Sequence, residues 1–179
     1  MRPISEIFSD RDGKIYQTSC DFLVGVDNPL LRISQFCSEK SNSQNLMADD
    51  IDINMEIRSG LFGRMHVVNV LDENSENFFF EHYGGGSRFE RGTSFHQRRI
   101  SEARWSALRQ FALFDYSRIK TGRSADLVQI EVDAPDLGLS TIYRRLVFPM
   151  FSSRHGGHVT HLLVSIRPDC QGLVSHAGD

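Results

Sequence analysis

The rhythm of apolar and polar positions changes near residue 45. Before it, apolar residues between 15 and 26 are dense enough to pair or pack, bracketed by turn signals at Gly13 and at Asp27-Asn28-Pro29. After Pro29, apolar residues at 30, 33 and 37 and at 31 and 36 predict a short helix. Residues 38–45 are polar, rich in Ser and Asn, and read as a linker. The acids Asp49, Asp50 and Asp52 precede Met55-Glu56-Ile57, as suits a helix N-terminus, and Gly60 and Gly63 end any such helix.

Beyond this point five segments read as strands: 65–71, 77–83, 127–132, 140–148 and 159–166. The first two are separated by Asp72-Glu73-Asn74 and form a hairpin; the last three are joined by turns at 135–138 and at Gly156-Gly157. Between the second and third strands lies a long crossover, 87–126. Its later half predicts a helix, because Trp105, Leu108, Ala112, Tyr116 and Ile119 recur at three- and four-residue steps. Ser101 is a candidate cap at its start and Gly122 a candidate stop. Phe114 points off the apolar stripe: a lone exposed aromatic is the favoured reading, a contact surface for another subunit the alternative.

Three stretches carry a family resemblance. They are Met65–Asp72 leading into Asn77–Gly84, then Asp115–Arg123, and Tyr143-Arg144-Arg145-Leu146-Val147-Phe148-Pro149-Met150. Together with the order of elements they resemble PAS domains, in particular the single-PAS proteins of unknown function of alphaproteobacteria, over residues 46–168. The chain departs from that pattern at His82, where an arginine is frequent, and at Gly92-Thr93, which no arginine follows. The resemblance implies an α+β fold: a PAS-like five-stranded antiparallel sheet with a helical crossover between strands two and three. It divides the chain into an N-terminal extension (1–45, partly helical, for docking or dimerisation), a PAS-like domain (46–170) and a flexible C-terminal tail (171–179). It further implies a sensory or protein-interaction module in bacterial signal regulation, without catalytic activity. With no output domain in the chain, the signal would pass through a protein partner or a homodimer, the latter suggested by the Leu30–Cys37 pattern.

Composition narrows the classes. Among 179 residues, 40% are hydrophobic and 24% charged, as in an ordinary globular domain with a core. The net charge of −3 argues against general nucleic-acid binding. The longest apolar runs are too short for a membrane-spanning helix, and the N-terminus lacks a secretory pattern. Cys20, Cys37 and Cys170 are widely spaced, which reads as reduced thiols and a cytoplasmic location. Thirteen Phe stand against one Trp. The crossover 88–123 carries nine Arg or Lys against three acids; a solvated helix face is favoured over a site for an anionic partner.

The candidate chemistry is sparse. An alternative function is a small-molecule receptor, its cavity lined by Val68, Val70, Phe78, Phe80, Trp105, Tyr116, Ile130, Leu146, Leu162 and Val164, following strand alternation and the helix face. His82 and His96 lie near this core and could ligate a haem; His66 lies there too, and hydrogen-bonded core histidines are the favoured reading. His155, His158 and His161 could bind a metal in a metal-dependent enzyme. Their spacing differs from a helical zinc motif, however, and on a strand His158 and His161 would face opposite sides. Gly84-Gly85-Gly86 lacks the Gly-Lys-Ser/Thr that a phosphate loop requires. No cofactor is called for, and no acid–base pair or nucleophile motif stands out.

Overall fold

The computed structural model describes residues 6–19, 29–41, 45–52, 54–55, 65–84 and 95–168. The strands are β1 (Glu6–Asp10), β2 (Gly13–Ser19), β3 (Leu46–Met47), β4 (His66–Asn69), β5 (Phe79–Tyr83), β6 (Asp126–Ala134), β7 (Leu139–Ser152) and β8 (His158–Pro168). The α-helices whose full bounds fall among the described residues are α1 (Pro29–Lys40) and α2 (Ser106–Gly122). The expected tail and the Gly85-Gly86 exit lie outside the described residues, as does most of the helix expected after Asp52. Of that helix, one start signal is seen: the Asp52 carboxylate accepts from the Met55 backbone N–H at 3.0 Å.

All eight strands form one sheet, ordered β1-β2-β6-β7-β8-β4-β5, antiparallel along that path. The fold is therefore α+β with an antiparallel sheet, but the expected five-stranded sheet is too small. The five expected strands are neighbours, β5-β4-β8-β7-β6, and two additions enlarge them. The β1–β2 hairpin pairs onto β6, extending the sheet from the N-terminal side. β3 pairs in parallel with Met150 and Phe151 of β7, beyond the stretch that β6 covers. The hairpin was hard to read as strands because its only fully buried apolar side chain is Ile15, with Gln17 on the same face.

α2 covers one face of the sheet. Its Ala112, Tyr116 and Ile119 pack on Val68, Val70, Phe80, Val147, Leu162 and Val164. Its start, Trp105, Ala107 and Phe111, packs on Ile15 and on Val128, Ile130 and Val132 of β6. The docked hairpin thus occupies the helix flank that holds Ala107 and Phe111. α1 covers the opposite face, where Ile33 and Cys37 meet Val67, Met150 and Leu163. The apolar positions of the Leu30–Cys37 pattern are buried inside the chain: Leu30, Ile33 and Cys37 are all covered, the last two against its own sheet. Burial pushes the Cys37 thiol up to about 12, so it stays protonated.

The start of α2 is held by a distant residue rather than by Ser101, whose hydroxyl donates instead to the Glu76 carbonyl. Asp10, at the β1–β2 turn, accepts from the Ala107 backbone N–H at 2.8 Å and from the Trp105 indole N–H at 3.1 Å. Burial opposes this carboxylate's charge, but these bonds and one from the Asp12 backbone N–H outweigh it and hold its pKa below the usual carboxylate range. α2 ends at Gly122, as expected, with Arg123 in the left-handed conformation at φ 56° and its N–H on the Ile119 carbonyl.

Gly13 lets the hairpin approach β6: a Cβ there would lie 2.4 Å from the Ala134 Cβ and 2.6 Å from the Asp133 carbonyl oxygen. At the other edge, residues 97–100 hydrogen-bond along the start of β5 and the residue before it, through Gln97 N to Phe80 O and Ile100 N to Phe78 O. Among the described residues nothing pairs with the outer side of β1, leaving it an open edge.

Candidate functional site

A cavity of about 50 Å³ lies between α2 and the sheet. Its walls include Phe80 and Tyr83 of β5, His66 of β4, Phe95 and Ile100, Leu108, Phe111, Ala112 and Tyr116 on or near α2, and Tyr143 and Arg145 of β7. Ligand pockets for drug-sized molecules span roughly 300–1,000 Å³, whereas a single water needs about 10–15 Å³. The space therefore fits a few waters or a molecule of a few heavy atoms. The aromatic residues fill most of what would otherwise be the pocket: Tyr83 and Phe95 meet with centroids 5.5 Å apart, and Phe80 contacts both.

One wall is charged. Asp115, on α2, is fully buried and accepts hydrogen bonds from Arg145 Nη2, from Arg118 Nη2 at 2.7 Å and from Gln17 Nε2 at 3.4 Å. Arg145 is 2% exposed, and its guanidinium also lies 4.8 Å from the Phe111 ring centroid and 5.7 Å from that of Tyr116. Burial alone would lower the Arg145 pKa, but the Asp115 carboxylate more than offsets this and keeps it above the ordinary arginine value. Arg118 reaches the surface and donates to Asp126 at 2.6 Å. Two cations and two carboxylates thus link the cavity wall to the outside of α2 and to β2, β6 and β7. The Arg145 Nε has no hydrogen-bond partner among the described residues. Burial pushes Tyr116 up to about 12, so its hydroxyl remains neutral at the cavity.

Opposite, His66 stacks on Tyr83 at 4.2 Å, and its Nδ1 accepts from the Gly84 backbone N–H at 3.1 Å. Burial, with a smaller contribution from His82, holds the imidazole neutral, its pKa lowered to about 3.

Of the residues expected from the sequence, only Phe80 and Tyr116 line this cavity. Val68, Val70, Phe78, Leu162 and Val164 belong to the same apolar cluster but are sealed in it. Trp105 and Ile130 sit in the neighbouring cluster under the hairpin. Leu146 is buried, but it alternates with Arg145 and Val147 and so faces away from α2; the true cavity phase on β7 is Tyr143 and Arg145. His82 also lies on the far face. The register shifts between Val67 and Val68, placing His82 opposite Val67 and Phe80 opposite Val68, with Glu81 the additional residue. His96 is exposed, its ring 6.1 Å from that of His82.

The metal alternative loses its cluster. His161 bonds Glu81 Oε2 at 2.9 Å and lies 3.3 Å from Asn69 Nδ2, on the face turned from α2. His155 and His158 line a separate hollow at the end of α2. Among the described residues no group of three or more His, Cys, Asp or Glu is placed to hold a metal. The basic crossover is likewise dispersed: Arg118 pairs with Asp115 and Asp126, and Arg109 donates to the Ala103 carbonyl at 2.9 Å. Arg88 and Arg91 lie outside the described residues. No helix among the described residues is long and apolar enough to cross a membrane.

Compared with family models, curated proteins and solved structures, the chain matches none.

Proposed function

We propose that the chain is a non-catalytic, PAS-like sensory or protein-interaction module of bacterial signal regulation, cytoplasmic, acting through a protein partner or a second copy of itself. The observation that carries this reading is the filled interior. The space between α2 and the sheet is occupied by the chain's own aromatic rings down to about 50 Å³, which leaves no room for a flavin-sized or haem-sized group in this arrangement. Output must then use the surface. With Leu30–Cys37 spent internally, the surface that supports a second copy is the open β1 edge, where Ile7 is 58% exposed and Phe114 on α2 is 47% exposed. Phe8, whose side chain points to the strand face opposite that of Ile7, lies 5.5 Å from Phe114.

Light scattering of the full chain across micromolar concentrations tests the homodimer. The expected result is a mass rising toward twice the monomer, with the Phe114→Glu variant remaining monomeric. A strictly monomeric wild type removes the homodimer and leaves only the protein partner.

One observation favours a second reading, a small-molecule receptor. Arg145 lines the cavity, its Nε has no hydrogen-bond partner among the described residues, and its charge is already matched by Asp115. A neutral molecule of a few heavy atoms presenting one acceptor would satisfy it.

A further inference from the structure

At the C-terminal end of α2, away from the aromatic cavity, is a hollow of about 250 Å³ lined by Leu71, Glu73, Lys120, Arg123, His155 and His158, with Val159 at its apolar side. Three separate parts of the fold bring the basic groups together: the last turn and cap of α2, the β7–β8 turn, and the start of β8. Arg123 is fixed there by its Nη2 donating to the Gly157 carbonyl at 2.9 Å and by its guanidinium lying 5.1 Å from the Phe151 ring centroid. Lys120 is fixed by donating to the Asp72 carbonyl at 2.9 Å and by lying 5.5 Å from the Phe78 ring centroid.

The plain account of Lys120 and Arg123 is that they complement the negative end of the helix. That end amounts to only about half an elementary charge, against two fixed cations. The one carboxylate in the lining, Glu73, is 3.7 Å from Lys120 but 98% exposed, so water screens the pair. Of the other charges nearby, Asp72 is engaged by Asn74 and Asn77, and Arg154 faces Asp49. Helix complementation also leaves unexplained why two imidazoles from another turn border the same hollow. Donors remain: an arginine has five N–H groups and a lysine three, of which the Gly157 and Asp72 carbonyls take one each, and each imidazole has at least one, with His155 Nδ1 lying 3.2 Å from the Ser152 hydroxyl.

We propose that this hollow binds the phosphate group of a small molecule, as inorganic phosphate or a small phosphomonoester, with Arg123 and Lys120 as the charged donors and His155 and His158 completing the cradle. Its volume lies below the drug-sized range and suits a group of phosphate size, and Leu71 and Val159 give an ester's carbon chain an apolar wall.

Titration of the full-length protein at constant ionic strength, followed by backbone NMR shifts, provides the test. The probes are inorganic phosphate and glycerol 3-phosphate, with glycerol as the neutral control. The expected result is saturable binding of one or both phosphates, with shifts confined to residues around 71–73, 120–123 and 155–159, and none with glycerol. Tighter binding of the ester identifies a phosphomonoester site; equal binding identifies a site for free phosphate. Arg123→Asn keeps a residue that tolerates the left-handed conformation and should weaken binding about tenfold or more. His155→Gln/His158→Gln leaves the fixed cations in place and should weaken it about threefold. The proposal is overturned by non-saturable shifts up to about 10 mM, by shifts elsewhere in the molecule, or by wild-type affinity in the folded Arg123→Asn protein.

Discussion

Replacing Asp115 by Asn leaves a buried cation without its counter-charge. Asp115 is fully buried and Arg145 2% exposed, so water cannot take the carboxylate's place. Arg118 retains Asp126, whereas Arg145 keeps no direct ion pair and only the weaker, longer-range attraction of Asp126. Removing one member of a buried ion pair costs about 3–5 kcal/mol, a large share of the ~5–15 kcal/mol that holds a typical domain together. At roughly 2–4 °C per kcal/mol for a chain of this size, Tm should fall by about 6–20 °C. Arg145→Met should cost less than Asp115→Asn, because the surviving carboxylate still has Arg118 and Gln17 as donors. The double variant Asp115→Leu/Arg145→Met replaces the pair with apolar bulk and should return to within about 1–2 kcal/mol of wild type. Urea unfolding followed by circular dichroism measures all four proteins. A loss below about 1 kcal/mol in Asp115→Asn, or a double variant as unstable as Asp115→Asn and Arg145→Met summed, would refute the argument that this pair is a desolvated, mutually dependent unit.

Two further outcomes are expected. His66 is protonated in the unfolded chain below about 6.5 but in the folded protein only near 3. The unfolded state therefore binds the extra proton and stability declines as pH falls through that window; from pH 7 to pH 5 the loss is about 2 kcal/mol. In His66→Asn, which keeps an acceptor for the Gly84 N–H, the pH dependence of the urea midpoint should be flatter by that amount, and an unchanged profile would count against a buried neutral imidazole. Gly13→Ala places a methyl 2.4 Å from the Ala134 Cβ and against the β6 backbone. The hairpin must then shift, lowering stability by about 1–3 kcal/mol in thermal melts; a neutral substitution would show that the hairpin does not dock this closely.

How much of this was legible in the sequence depended on how local each signal was. The strands from β4 to β8 and helix α2 announce themselves by periodicity, and their order followed. The same rule of alternation failed where one residue was inserted: the β4–β5 register shift turned His82 to the far face and brought Tyr83 onto the cavity wall beside Phe80. On β7 the apolar Leu146 looked like the inward residue, yet the inward one is Arg145, because its charge is met by Asp115, 30 residues away. Asp115 itself carried a hint. It falls four residues after Phe111 and one before Tyr116, on the flank of the apolar stripe, where a carboxylate needs a partner. The α2 cap from Asp10 spans 97 residues and has no local signature.

The chain's own side chains fill the space between α2 and the sheet down to about 50 Å³. Native mass spectrometry of the freshly purified full chain, with metal analysis, tests it most directly. The account predicts polypeptide masses, as monomer or dimer, without a stoichiometric metal or an adduct of flavin or haem size. A stoichiometric adduct of that size, released on unfolding, would contradict it.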